Sequence, residues 1–476
     1  MSPRPRIASV SVASAAAIGL IVAIGGAPRA TADDDGCSNA PPPPSASPSV
    51  GPPTPSLPHL PPIGRKPPGA NAHAPLPSLG PLISALLHPT SRYSAQKQNQ
   101  AAVIPPPNPP GAGYQQPPNA PQPVPNAATI QPPPAPAPAP SVAGATTSLA
   151  GWVNGPNSPN NTLQRFGMNG ADLGIMWDNG DPFNDQVLIA FGDTFGYCGL
   201  PNEHRYNTLF RSQDRDLARG INVANGSVSD PYSGSPLWQP GYAKQIINKL
   251  IRVPTEESII PTAGISVGRT QYVNFMSVKQ WGSPSQWTTN YSAIAMSRDN
   301  GQNWGIYPGT IRTPAAGNEN FQQGAFIRPG DGYVYSFGTP PGRDGAAYLA
   351  RVPQGFVPDL TKYQYWNSDA NAWVPNNPSA ATPVIPGPVS EMSAQYNTYL
   401  KQYLVVYCNG SNDVVARTAP TPQGPWGPEQ MLVSSMQIPG GIYAPYLHPW
   451  STGKDVYFNL SLWSAYNVML MHTALP

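Results

Sequence analysis

The fold is decided by "ADLGIMW" (171–177), "VLIAFGDTF" (187–195) and "NTLFRSQD" (207–214). Each is a short run of strand-forming residues, and the runs are separated by glycine, aspartate and asparagine turn signals. Three such runs in succession read as an antiparallel meander. The triplet returns four more times. Its middle strand recurs as "YVNFMSV" (272–278), "YVYSFGTP" (333–340), "YLVVYCNG" (403–410) and "VYFNLSLW" (456–463). A first strand precedes each of these, in "IPTAGISVG", "GAFIRPG", "EMSAQYNTYL" and "IYAPYLHPW". A third follows, in "SAIAMSRD", "AAYLARVP", "VVARTAPT" and "NVMLMHTA".

Five meanders predict an all-β fold, a five-bladed β-propeller spanning residues 146–476. An irregular β-sandwich is the competing architecture. In the middle blades, "WGIYP", "YQYWN" and "EQMLV" are the candidate outer strands. The chain stops just after the last third strand, so "TTSLAGWV" (146–153) is expected to add the missing outer strand and remove the open edges. Helical periodicity is almost absent, and only "GYAKQIINKLIRV" (241–253) is predicted helical. "SRDNGQNW" (297–304) fits the S-x-D-x-G-x-x-W pattern of the Asp-box, a propeller hairpin turn. Asp299 is therefore expected to be structural: it accepts turn N–H groups, Gly301 supplies positive φ, and Trp304 packs beneath.

Residues 1–32 read as a signal peptide. Arg4 and Arg6 precede an apolar run, and Ala30-Thr31-Ala32 precedes three aspartates. Residues 33–145 hold much of the chain's 66 prolines, with alanine and serine between them. Such a segment buries too little apolar surface to offset its ordering entropy, so a disordered, semi-stiff Pro-rich tether is expected. The protein is expected to be secreted or held at the cell envelope, a monomer, with no stable membrane insertion once the signal is cleaved. Net charge is +2 and 11% of residues are charged. With no basic stripe, nucleic acid is not a predicted partner. Cys198 and Cys408 can pair after export or stand as two buried thiols. No Cys/His metal spacing, nucleophile elbow, H-E-x-x-H or P-loop is present, so neither metal nor cofactor is predicted.

In a propeller, polar side chains from several blades converge at one rim of the channel. First-strand starts bring Asp172, Glu256, Glu257, Gln322, Gln323, Glu391 and Tyr443 there. Second-strand ends bring Asp193, Lys279, Trp281, Asn409 and Trp463, with Arg343 a little later. Among the five second strands only "FGDTF" ends in a carboxylate, so the repeat does not need that acid to fold. Asp172 and Asp193 come from neighbouring strands and are predicted at the same end. Glycoside hydrolysis uses such a pair, one carboxyl protonated and one ionised. Rim aromatics (Trp281, Tyr291, Tyr443, Trp450, Trp463) would suit sugar faces. Glu257, Asn290, Gln323, Arg343 and Glu391 would suit hydroxyls. His204, in "NEHRYN", can also line the pocket, whereas His448 reads as a packed turn histidine.

Beyond this reading, "GADLGIMWDNG", "VLIAFGDTFG", "IIPTAGISVG", "YSAIAMSRDNGQNW", "NFQQGAFI", "VSEMSAQYNTYLKQYLVVY" and "GGIYAPYLHPW" carry a resemblance. Over residues 150–476, in order, the chain resembles the actinobacterial secreted family grouped as endo-D-arabinanases (glycoside hydrolase family 183, formerly a domain of unknown function). The resemblance implies a five-bladed propeller that cleaves the D-arabinan of mycobacterial arabinogalactan and lipoarabinomannan. It implies that the catalytic carboxylates are Asp172 and Asp193. The alternative is a non-catalytic, lectin-like propeller that holds cell-wall glycan. A different hydrolase of the same architecture, acting on L-arabinan or sialosides, ranks third; a sialidase should show several Asp-boxes and three clustered arginines, and only one clear Asp-box and one well-placed arginine are present.

Overall fold

The computed structural model describes residues 141–196, 204–250, 255–282 and 285–476. The expected signal peptide, all but the last few residues of the tether, and Cys198 lie outside the described residues.

Five antiparallel sheets form the blades of a β-propeller. Their inner strands are Gly170–Asp178, Ser258–Val267, Gln323–Ile327, Met392–Asn397 and Ile442–Leu447. Each inner strand touches the next, and the fifth returns to touch the first, so the ring is closed around a channel. The strand Val187–Phe195 explains why the runs are apolar throughout. Val187, Ile189 and Phe191 face Val468 and Leu470 of the fifth blade. Leu188 and Ala190 point the other way, into Ile259, Val273 and Phe275 of the second. Successive side chains leave opposite faces of a strand, and here both faces are covered by neighbouring blades.

The closing strand stands where the sequence puts it. Thr146–Trp152 pairs antiparallel with Asn467–Ala474, the third strand of the fifth blade, with Thr146 opposite Ala474. The chain is packed slightly earlier still, since Val142 is buried among Leu400, Leu404 and Leu475. The outer strands of the middle blades are Gly305–Ile306, Gln364–Asn367 and Gln430–Val433. The third blade adds a fifth strand, Ala372–Pro375, and the first blade has three.

The predicted helix at 241–253 is overturned over its described residues. Tyr242–Ala243 is a short strand paired with Leu237–Gln239, and residues 244–250 form no helix. The cause is Asn207, whose Oδ1 accepts the N–H groups of Ile246 and Ile247 while its Nδ2 donates to the Ile247 carbonyl. A buried side chain has replaced the intrahelical bonds. It holds Ile246 and Ile247 as core residues in an irregular segment.

The Asp299 hairpin forms as expected. Asp299 Oδ1 accepts from Ser297 Oγ at 2.7 Å and from the Asn303 N–H at 2.9 Å. Gly301 has φ +80°, and the Trp304 indole donates to its carbonyl at 3.0 Å.

Candidate active site

Asp172 and Asp193 meet through a β-bulge. Ala171 pairs with Thr194 and Leu173 with Phe191, so the single residue Asp172 faces two, Gly192 and Asp193. The extra residue breaks the alternation of the pleat, and both carboxyls line one pocket. The bulge is held from outside the blade, because Ser461 Oγ accepts the Leu173 N–H at 2.8 Å. Leu173 and Gly174 both have positive φ, +69° and +72°. Gly192 is required by space: a Cβ there would overlap Asp172 Oδ1. The glycine that ends the apolar run is the seat of the neighbouring acid.

The two acids have different surroundings. Asp172 is buried, its Oδ2 accepts from the Tyr443 hydroxyl at 3.0 Å, and its Oδ1 has no hydrogen-bond partner. Burial is the main cause that pushes its pKa up to about 8, and the charges of Asp193 and Glu391 add to it. The Tyr443 bond and Arg343 oppose the rise without cancelling it. Asp193 is buried too, but its Oδ1 accepts from Ser258 Oγ at 2.7 Å and lies 2.8 Å from His204 Nε2. His204 is itself fixed, stacked on Phe195 with centroids 4.6 Å apart and met edge-on by Tyr206.

Behind the acids stands a buried ion pair. Arg343 donates to Glu391 through Nε at 2.9 Å and Nη2 at 2.6 Å, and its Nη1 is left without a partner. The guanidinium lies 5.1 Å from the Trp287 ring centroid and 5.2 Å from that of Tyr443. Gln323 also lines the pocket. Its Nε2 donates to the Pro340 and Gly342 carbonyls at 2.8 and 2.6 Å, and its Oε1 accepts nothing.

Of the sequence-predicted residues, then, the structure gathers Asp172, Asp193, Gln323 and Glu391 along the pocket, with Arg343 and Tyr443 bonded to them. Four others stand back from it. Glu257 accepts the Trp281 N–H at 3.1 Å, and Asn290 bonds Ser277 Oγ at 3.1 Å. Tyr291 donates to Glu256 at 2.9 Å. Trp463 is 1% exposed and packs edge-on to Tyr443 and Tyr466.

The expectation that Tyr291, Tyr443 and Trp463 offer ring faces is therefore corrected. These three rings are buried between sheets, and the Tyr291 and Tyr443 hydroxyls brace Glu256 and Asp172. Trp450 is moved further: its indole donates to Asp178 Oδ2 at 2.5 Å, and Asp178 ends the inner strand that Asp172 begins. Trp281 does line the pocket, half-buried and edge-on to Trp287 at 5.8 Å. Trp287, Ser258, Tyr446 and Tyr466 were not singled out by sequence reasoning. The doubled tyrosine of "IYAPY", with Ala444 at φ +52° in a second bulge, is the signal for Tyr446.

At neutral pH a carboxyl whose pKa is about 8 is largely protonated. The structure thus sets a proton-bearing acid beside a carboxyl supplied with hydrogen-bond donors. That is the arrangement of a general acid and its base or nucleophile. Among the described residues, no group of three or more His, Cys, Asp or Glu is placed to hold a metal ion.

Residues 157–472 match the family described as Domain of unknown function (DUF4185). The notoamide biosynthesis cluster protein J of Aspergillus sp. (strain MF297-2) is 26% identical over 329 residues, 63% of this chain and 82% of that protein. Solved structures show a distant likeness. The α-L-arabinofuranosidase PaAbf62A from Podospora anserina aligns at 11% identity and a TM-score of 0.35, over 69% of this chain and 98% of that one. The catalytic domain of the GH62 α-L-arabinofuranosidase from Coprinopsis cinerea aligns at 10% identity and 0.38, over 69% and 96%.

Proposed function

Taking as premise that this chain belongs to the DUF4185 family, we propose that it is a glycoside hydrolase, a secreted endo-D-arabinanase acting on cell-wall arabinogalactan or lipoarabinomannan. Asp172 is the general acid and Asp193 the base or nucleophile. One observation carries the reading: two carboxyls on neighbouring strands share a pocket, and one is held up near 8. A binding module needs no protonated buried acid, because burying it costs stability and a neutral amide would serve a hydroxyl as well. Cleaving an acetal does need one, to protonate the leaving oxygen. The choice of D-arabinan rests on the sequence resemblance across residues 150–476.

The test is incubation of the full chain with purified mycobacterial arabinogalactan, followed by chromatography of the products. A ladder of arabino-oligosaccharides, absent for Asp193→Asn, is the expected result. Binding of the polymer with no products would instead make the protein a lectin.

A further inference from the structure

The channel has a second mouth. The trailing ends of all five inner strands and the turns after them enclose a cavity of about 270 Å³, against about 20 Å³ at the acid pocket. Thr262 and Tyr446 line both spaces and form the partition between them. Asp178, at this mouth, is six residues along the strand from Asp172. At about 3.3 Å per extended residue, and with the bulge at Leu173 and Gly174 shortening the path, the two lie at most about 20 Å apart. The larger space adjoins the acid pocket at Thr262 and Tyr446 and opens at the opposite end of the channel.

Its lining has a definite chemistry. Tyr396 and Tyr403 pair across one hairpin, edge-on at 5.2 Å, and Tyr396 is 42% exposed. Phe326 adds a third ring from the neighbouring blade. Between the rings are polar groups with unused capacity. Gln395 is 9% exposed and its Nε2 donates to the Ser451 carbonyl at 3.1 Å, but its Oε1 accepts nothing. Ser393 Oγ accepts the Leu447 N–H at 3.0 Å, and its own O–H remains available to donate.

The lining carries one charge of each sign. Asp178 accepts from the Gly180 N–H and the Trp450 indole, and Arg328, the single cationic side chain of the lining, donates to the Ser266 carbonyl. The two are opposite in sign, so the lining has no net charge to favour an anion or a cation. A neutral molecule bearing both C–H faces and hydroxyls matches the rings and the orphaned amide oxygen together.

We propose that this far mouth is a second, non-catalytic site for a neutral glycan chain. It would hold polymer at the opposite end of the channel, up to about 20 Å from the acids by strand rise. Only the choice of probe rests on the proposed function. The experiment is calorimetric titration of the full chain, carrying Asp172→Asn to prevent cleavage, with an arabinofuranose hexasaccharide and with xylohexaose as a second neutral glycan.

Two sites are expected for at least one of these probes. Adding Tyr396→Ala should weaken one of them about tenfold and spare the other. Gln395→Leu, checked for an unchanged melting temperature, should act on the same site. In the otherwise wild-type chain, Tyr396→Ala should leave cleavage of short oligosaccharides intact and slow cleavage of polymer several-fold. A one-site isotherm with both probes, or two sites that neither variant touches, overturns the second site. Two sites in a chain that releases no products would leave this inference standing and remove the proposed function instead.

Discussion

Two aspartates in this molecule, Asp299 and Asp172, have opposite surroundings. In the hairpin of the second blade, Asp299 draws its partners from within four residues: Ser297, the Asn303 N–H and the Asn303 amide. Burial raises its pKa, but these hydrogen bonds outweigh that and hold it below the usual carboxylate range. Asp172 receives one hydrogen bond, from Tyr443, which is 271 residues away in sequence, and one of its oxygens has no partner. An acid that the fold uses is satisfied by its own turn. The acid of the pocket is kept short of donors, at a cost in stability that the rest of the propeller sustains.

The sharpest way to break this contrast is to remove the proposed proton donor, Asp172. Asp172→Asn is expected to lower glycan cleavage by roughly 10²- to 10⁴-fold, the usual contribution of a general acid. The melting temperature should hold or rise, since a buried ionisable group has become neutral. On an aryl arabinofuranoside, whose leaving group needs little protonation, the loss should shrink markedly. An equal loss on both substrates would remove the acid role from Asp172. Asp193→Asn should instead fail on both.

Gly192→Ala tests the same contrast through geometry. Its methyl group would overlap Asp172 Oδ1, so the acid must shift while its chemistry is untouched. Displacement of a catalytic group by about 1 Å can cost on the order of 10²-fold in rate. A fall of roughly 10- to 100-fold with a retained fold is the expected kinetic result. Full activity would mean that the bulge does not aim Asp172.

The raised pKa also fixes a sign. Asp172 titrates at about 8 in the folded chain against 3.8 as an ordinary aspartate, so between those values the native state binds more protons than the unfolded state. Its contribution to stability is therefore fully present at low pH and is lost as pH rises towards 8. Cleavage should likewise decline above about pH 8 as the acid loses its proton. Wild type and Asp172→Asn, melted across this range, should converge in stability at acid pH and separate at alkaline pH, with the variant the more stable.

How far the sequence carries depends on where a residue's partners lie. The blades were legible because a meander pairs runs close in sequence, and the Asp-box because Ser297, Asp299, Gly301 and Trp304 sit within one turn. Asp193 was legible by exception, as the one acid among five comparable strand ends. What failed is contact across blades. Ser258 reaches Asp193 from the next blade, and Tyr443 reaches Asp172 from the one before. Ring closure makes these neighbours, and no local spacing records it. The aromatic residues misled for a related reason: placing Tyr291 and Trp463 at strand ends says nothing of the sheet that covers them. The helix expected at 241–253 was displaced, over its described residues, by Asn207, outside the segment altogether.

The smallest effect on activity is expected at Asp299, and it completes the contrast. Asp299→Ala removes the acceptor of the Asn303 N–H and amide and the partner of the buried Ser297 hydroxyl. Loss of such a turn network costs roughly 1–2 kcal/mol. Cleavage should be unchanged, because the side-chain hydrogen bonds of Asp299 all lie within its own hairpin and none reaches the acid pocket. The pH dependence must also run opposite to that of Asp172. A lowered folded pKa means that the unfolded state binds more protons, so the contribution of Asp299 is present above the ordinary aspartate range and is lost on acidification. Acid denaturation of Asp299→Asn against wild type should show the difference between the two proteins shrinking as pH falls below about 4. A variant that melted normally but lost cleavage would place Asp299 with the pocket acids and end the distinction.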